Sequence, residues 1–152
     1  MILTDEEVIE TFGDPLPFIR DDRHVSSEWE RQILTPVTLP GLIPLSWRPE
    51  LKVGLVRCHV KIALPVRAVF TALHDKGLWP LLKDYGGCYA WRANVNNPLQ
   101  LSRHCWGIAF DINVRDNLNH GPPRQSPDLV AEFERHGFAW LYADPMHFEY
   151  VG

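Results

Sequence analysis

A chain of 152 residues suffices for one compact domain with its own core and leaves little room for a second. Hydrophobic residues make up 45% and charged ones 22%, which excludes a disordered composition. A formal net charge of -4 without any Lys/Arg block argues against a nucleic-acid partner. No apolar run approaches the roughly 20 residues of a membrane span, so no membrane insertion is expected.

Thr4 followed by Glu7 reads as a capping box opening a short helix that Gly13 ends. The same stretch carries Asp5, Glu6, Glu7 and Glu10 where a secretory leader needs a basic start and an apolar run, so cytoplasmic synthesis is the expectation. Residues 1–50 are then expected to form an irregular, proline-rich segment of the single 1–152 domain. Pro15, Pro17, Pro36, Pro40, Pro44 and Pro49 interrupt helix and central strand alike. Trp29, Ile33, Leu34, Leu39, Leu42, Ile43 and Trp47 are too apolar for a free linker, so this segment should lie on the core.

Alternation from Arg57 to Ile62 predicts a half-buried strand, with Cys58, Val60 and Ile62 inward and Arg57, His59 and Lys61 outward. Pro65, then Val66, Val69, Phe70 and Leu73 at helical spacing, with Gly77 beyond, predict a helix of about three turns. Strands are expected at Cys88 to Ala93 and Ile108 to Asn113, a helix from Ser126-Pro127-Asp128 to Gly137, and closing strands at Phe138 to Tyr142 and Met146 to Val151. The mixed order of strands and helices favours an α+β domain with a small mixed or antiparallel sheet and flanking helices. Cys58, Cys88 and Cys105 lack paired spacing and read as buried free thiols, with a reactive or metal-binding role for Cys105 as the alternative. Trp29, Trp47, Trp79 and Trp140 read as core.

Chemistry concentrates in Ser102-Arg-His104-Cys-Trp-Gly107-Ile-Ala-Phe-Asp111 and in Asp144-Pro-Met-His147-Phe-Glu149. Strand alternation sends Ile108, Phe110 and Ile112 to the core and leaves Asp111 presented on the other face rather than buried. Gly107 permits a turn that folds His104 back toward that carboxylate, and His147 shares a strand face with Glu149. Two histidines and one carboxylate are a sufficient set for a catalytic zinc, which keeps a fourth position for water. Glu149 reads either as a partner orienting a ligand or as an exposed carboxylate.

Ser102-x-His104-x-x-Gly107-x-Ala109-x-Asp111, followed by Asp144-x-x-His147-Phe-Glu149, resembles the paired signature of the M15 (VanY-type) metallopeptidases. That family comprises D-alanyl-D-alanine carboxypeptidases and L-alanyl-D-glutamate peptidases. The resemblance is tight over Gly86 to Asn113 and Ala143 to Tyr150, weak over the intervening helix, and absent before about Lys52. It implies a hedgehog/DD-peptidase-like fold, a Zn2+ ion held by His104, Asp111 and His147, and bacterial peptidoglycan as substrate. By the same resemblance Asp144 is the general base, Arg92 polarises the scissile carbonyl, and Ser102 contacts substrate. Tyr89, Trp91 and Trp106 are candidate groove walls. Many family members carry Glu where this chain has Asp144; the Asp resembles the endopeptidase branch, including phage lysins. The expected activity is therefore L-alanyl-D-glutamate endopeptidase, an endolysin-like function reaching the cell wall by phage lysis or in a phage particle. D-alanyl-D-alanine carboxypeptidase activity and a non-catalytic zinc-binding recognition module are the alternatives.

Overall fold

In the computed structural model, which describes residues 1–21 and 23–152, the chain opens as its sequence predicts. Thr4 Oγ1 accepts from the Glu7 backbone N–H (3.2 Å), and the Glu7 carboxylate accepts from the Thr4 N–H (2.8 Å). These reciprocal bonds satisfy two otherwise orphaned donors of helix α1 (Asp5–Phe12), which Gly13 ends at φ 108°.

The expected irregular wrap up to residue 49 is corrected. Helix α2 (Ser27–Ile33) leads directly into strands β1 (Leu34–Leu45) and β2 (Arg48–His59), which form a long antiparallel hairpin. Pro36, Pro40 and Pro44 do not prevent this. Pro40 falls where the register with β2 breaks between Thr38 and Ile43, Pro44 borders a second break, and β1 is otherwise paired only with β2, meeting β3 (Tyr85–Gly87) at Leu45 alone, so a missing N–H is tolerated at a bulge or on the little-paired side. The predicted strand at Arg57 to Ile62 shifts for a comparable reason. His59 Nδ1 accepts the Lys61 N–H (3.1 Å) and starts a 3-10 turn over Val60–Ile62, so β2 ends at His59. His59 is thereby buried and Val60 exposed, the reverse of the alternation expected.

The remaining strands are β4 (Ala93–Asn94), β5 (Asn97–Leu101), β6 (Ala109–Ile112), β7 (Phe138–Trp140) and β8 (His147–Tyr150). Among the described residues they build a six-stranded sheet of order β2-β1-β3-β6-β8-β7 and a separate β4-β5 hairpin. Only β1 and β3 run parallel, so the sheet is mixed. Helices α3 (Ala63–Asp75) and α4 (Pro127–Arg135) flank it, giving the α+β architecture expected. Val66, Val69, Phe70 and Leu73 form the buried stripe of α3 at helical spacing. Phe70 meets Phe110 of β6 edge-on at 5.8 Å and Phe133 of α4 at 5.9 Å, so an aromatic cluster joins both helices to the strand carrying Asp111. Trp29 is fully buried as expected, whereas Trp47 sits at the hairpin tip and is 65% exposed. All three cysteines are free and buried. Among the described residues no helix is long and apolar enough to cross a membrane.

Candidate metal centre

Asp111 and His147 are direct cross-strand partners on β6 and β8. Residues opposite one another in an antiparallel pair hold their side chains side by side, so two chain segments distant in sequence present their polar groups to one point. His104 arrives from a 3-10 turn, Arg103–Trp106, whose first residue follows Ser102 and whose last precedes Gly107. Ser102 Oγ accepts the His104 N–H (3.2 Å), and Gly107 reverses the chain at φ 66°, a left-handed conformation that favours glycine. The other side of the site requires Gly86: a Cβ there would lie 2.9 Å from Asp111 Cβ and 2.6 Å from Val114 Cγ2.

The turn is held from behind by the amino-terminal segment. Trp29 Nε1 donates to the Cys105 carbonyl (2.9 Å), and Trp106 Nε1 donates to the Gly13 carbonyl (2.9 Å). Cys105 itself is structural. Its Sγ accepts from the Arg92 N–H (3.4 Å) and donates to the Arg92 carbonyl (3.1 Å), while burial pushes the thiol up to about 11. A thiol that stays protonated at neutral pH is a poor nucleophile and a poor ligand.

One ligand atom each from His104, Asp111 and His147 lies within 4.8 Å of the others, close enough to share a metal ion. His104 Nε2 is 3.2 Å and His147 Nδ1 3.6 Å from Asp111 Oδ1. The opposite ring nitrogens are already engaged. His104 Nδ1 lies 2.7 Å from the Cys88 carbonyl, which only accepts, and His147 Nε2 lies 3.0 Å from Glu149 Oε1. These contacts suit an imidazole that gives its outer N–H to the neighbouring oxygen and offers its inner nitrogen to a metal ion.

Asp111 was expected to be presented on an open face; it is buried, 9% exposed. The cause is coverage by the two imidazoles and by β3 and β8 on either side. Burial alone raises its pKa, but the contacts with His104 and His147 outweigh this and hold it well below the usual carboxylate range. Burial likewise disfavours the charged form of His147, yet the Asp111 and Glu149 carboxylates push it up to about 9.

Asp144 lies beside the three, with Oδ2 4.0 Å from His147 Nδ1. Burial is the main cause of its raised pKa. Among the described residues its Oδ1 and the Tyr89 hydroxyl are the buried side-chain polar atoms without a hydrogen-bond partner. Such an atom is rare in folded proteins, and Asp144 Oδ1, at the wall of a cleft, is placed to accept a hydrogen bond from water or substrate. Arg92 reaches within 3.7 Å of Asp111 Oδ2 and keeps 38% of its side chain exposed. A cleft of ≈ 190 Å³ opens over the site, lined by Arg92, Asn94, Asn96, Ser102, Asp144 and His147 among others.

All six predicted site residues thus come together. The expected aromatic walls do not. Trp106 is buried in the core, while Tyr89 and Trp91 are half-buried and outside the cleft lining. The strand expected at Cys88 to Ala93 is mostly irregular, because β3 ends at Gly87 (φ 112°). Two features escaped the sequence reading. Asn94 and Asn96 wall the cleft from the β4-β5 hairpin, and Asn96 is tied to Asn119 by hydrogen bonds of 3.1 and 3.4 Å; the asparagine-rich run Asn94 to Asn97 was the available signal. Arg103 also lines the cleft, and nothing in its sequence context marked it.

Two imidazoles and a carboxylate, from the paired strands β6 and β8 and the turn before β6, converge with an unpartnered carboxylate beside them, a set of the type found in metal-dependent hydrolases. Residues 96–150 match the family described as D-alanyl-D-alanine carboxypeptidase. The M15 resemblance is thereby shown over the segment that carries His104, Asp111, Asp144 and His147, the weakly similar helix included, and a peptidase acting on peptidoglycan is what it supports. Arg92 and everything before residue 96 lie outside the match. No curated protein and no solved structure matches the chain.

Proposed function

We propose that this chain is a zinc peptidase that hydrolyses the stem peptide of bacterial peptidoglycan between L-alanine and D-glutamate. The supporting observation is the convergence of His104, Asp111 and His147, with outer ring nitrogens engaged, beside the unpartnered Asp144 Oδ1. Two neutral nitrogens and one carboxylate fit a catalytic zinc and leave a vertex free. When bound, the ion supplies Lewis-acid chemistry, polarising a carbonyl and acidifying water.

The other roles fall to the chain's own groups. Asp144 takes a proton from the attacking water at Oδ1 and passes it to the leaving amine nitrogen. Its raised pKa strengthens it as a base, and such a group contributes about 10²–10⁴-fold. Arg92 offsets negative charge as it builds on the carbonyl oxygen. Ser102 spends an oxygen lone pair on the His104 N–H and keeps its own hydrogen for a substrate acceptor.

The choice of bond rests on Asp144 standing where many relatives carry Glu, as in the endopeptidase branch. D-alanyl-D-alanine carboxypeptidase activity is the second reading, favoured by the description of the matching family. Synthesis in the cytoplasm and release to the wall as a phage lysin or virion component belong to the same proposal. Mass spectrometry of fragments released from purified peptidoglycan by the zinc-loaded protein tests it. New D-glutamyl amino termini are expected. Free D-alanine without them would replace the first reading by the second, and no product at all would favour a non-catalytic zinc-binding module.

A further inference from the structure

Arg103 sits between the metal centre and the amino terminus. Its Nη1 donates to Asp5 Oδ1 (2.7 Å) and its Nη2 to the Leu3 carbonyl (2.8 Å), while Nε lies 3.6 Å from Glu149 Oε2. The other Glu149 oxygen, Oε1, faces His147 Nε2 at 3.0 Å. Glu149 is 4% exposed, so the charge that orients His147 is buried. A buried carboxylate is costly unless a cation compensates it, and Arg103 is the cation placed there. The guanidinium is planar and rigid, so fixing two of its edges on Leu3 and Asp5 also fixes the third toward Glu149.

The geometry points to Arg103 as a positioning residue that couples docking of the amino-terminal segment to metal retention: Leu3 and Asp5 hold Arg103, Arg103 holds Glu149, and Glu149 holds the His147 ring. This rests on the metal reading of His104, Asp111 and His147. It assigns a purpose to residues 3–5, which lie outside the matched segment. Loss of the partners that orient a metal-bound imidazole typically costs about 10–100-fold in metal affinity.

The test is zinc affinity by chelator competition, with the visible absorption of the cobalt-substituted protein as a second readout. Arg103→Met and Glu149→Gln should each weaken zinc binding about 10–100-fold and alter the cobalt spectrum. If Arg103 acts through Glu149, the double variant should bind about as weakly as Glu149→Gln alone, whereas independent structural damage would add. Asp5→Ala should weaken zinc binding in the same direction, while Glu6→Ala, exposed in the same helical turn, should leave it unchanged. Should Arg103→Met fail to fold, the comparison of Asp5→Ala with Glu6→Ala decides. Wild-type affinity in both Arg103→Met and Asp5→Ala, or equal losses in Asp5→Ala and Glu6→Ala, overturns the coupling. A wild-type protein that binds neither zinc nor cobalt overturns the metal reading instead.

Discussion

Replacing Asp144 by Ala should slow hydrolysis severely while leaving the fold intact or firmer. The carboxylate has no hydrogen-bond partner at Oδ1, and its ion-pair contact, Oδ2 with His147 Nδ1, is a long 4.0 Å. Leaving a buried acceptor unsatisfied costs about 1–3 kcal/mol, which the variant recovers. Against that stand the attraction to protonated His147 and the loss of a small, partly exposed side chain worth less than about 1 kcal/mol. The balance is a metal-free protein stabilised by about 1 kcal/mol at neutral pH. Its pH dependence has a definite sign. The folded-state pKa of Asp144 is raised, so the charged form is disfavoured by folding. The stability difference is therefore present at neutral pH and vanishes as pH falls below the unfolded carboxylate value of about 3.9. Turnover should meanwhile fall about 10²–10⁴-fold, or about 3–5 kcal/mol in barrier height. Urea unfolding of metal-free protein at pH 7 and pH 4 measures the first quantity, and peptidoglycan hydrolysis by zinc-loaded protein the second. A variant destabilised by more than about 1 kcal/mol at pH 7, or one that hydrolyses like wild type, would refute the reasoning.

His147, pushed up to about 9, carries a proton in the metal-free protein across the neutral range, and zinc must displace it. Apparent zinc affinity should rise with pH up to about 9, while this group's contribution to metal-free stability, full below its unfolded value near 6.5, is lost over the same interval; chelator competition and urea unfolding from pH 6 to 9 check both, and two flat profiles would contradict the assignment. Gly107→Ala should lower unfolding free energy by more than about 1 kcal/mol and weaken zinc binding. The cause is a left-handed φ of 66° together with a Cβ 2.6 Å from Leu34 Cδ2 and 3.1 Å from the His59 nitrogen; a wild-type urea midpoint would show that the turn tolerates a side chain. Trp29→Phe should cost about 1–3 kcal/mol by leaving the Cys105 carbonyl without its donor, measurable by urea unfolding, with no loss expected only if another donor replaces the indole.

The site was more legible than the scaffold that positions it. His104, Asp111 and His147 stand out in the sequence because a ligand set would restrict residue type and spacing; the structure brings the three within 4.8 Å of one another, and the pairing of Asp111 with His147 follows once two strands place both motifs in register. The helix ends were readable for a similar reason: Thr4 with Glu7, and the glycines at 13, 77 and 137, act through local backbone bonds and positive φ. What failed were inferences in which tertiary pairing overrides local preference. Pro36, Pro40 and Pro44 argued against a strand, yet a strand paired mainly on one side accommodates them. His59 was placed outward by alternation, but its Nδ1 starts a turn and its Nε2 meets the Phe12 carbonyl at 2.9 Å, drawing it inward. Arg103 carried no signal because its three partners, Leu3, Asp5 and Glu149, come from the two ends of the chain.

The central claim is tested most directly by metal analysis of the purified protein combined with X-ray absorption at the zinc edge. One zinc per chain is predicted, with two imidazole ligands and oxygen donors completing the shell, and with occupancy reduced in His104→Ala and in His147→Ala. Full zinc in both variants, or a shell containing sulfur, would contradict the account.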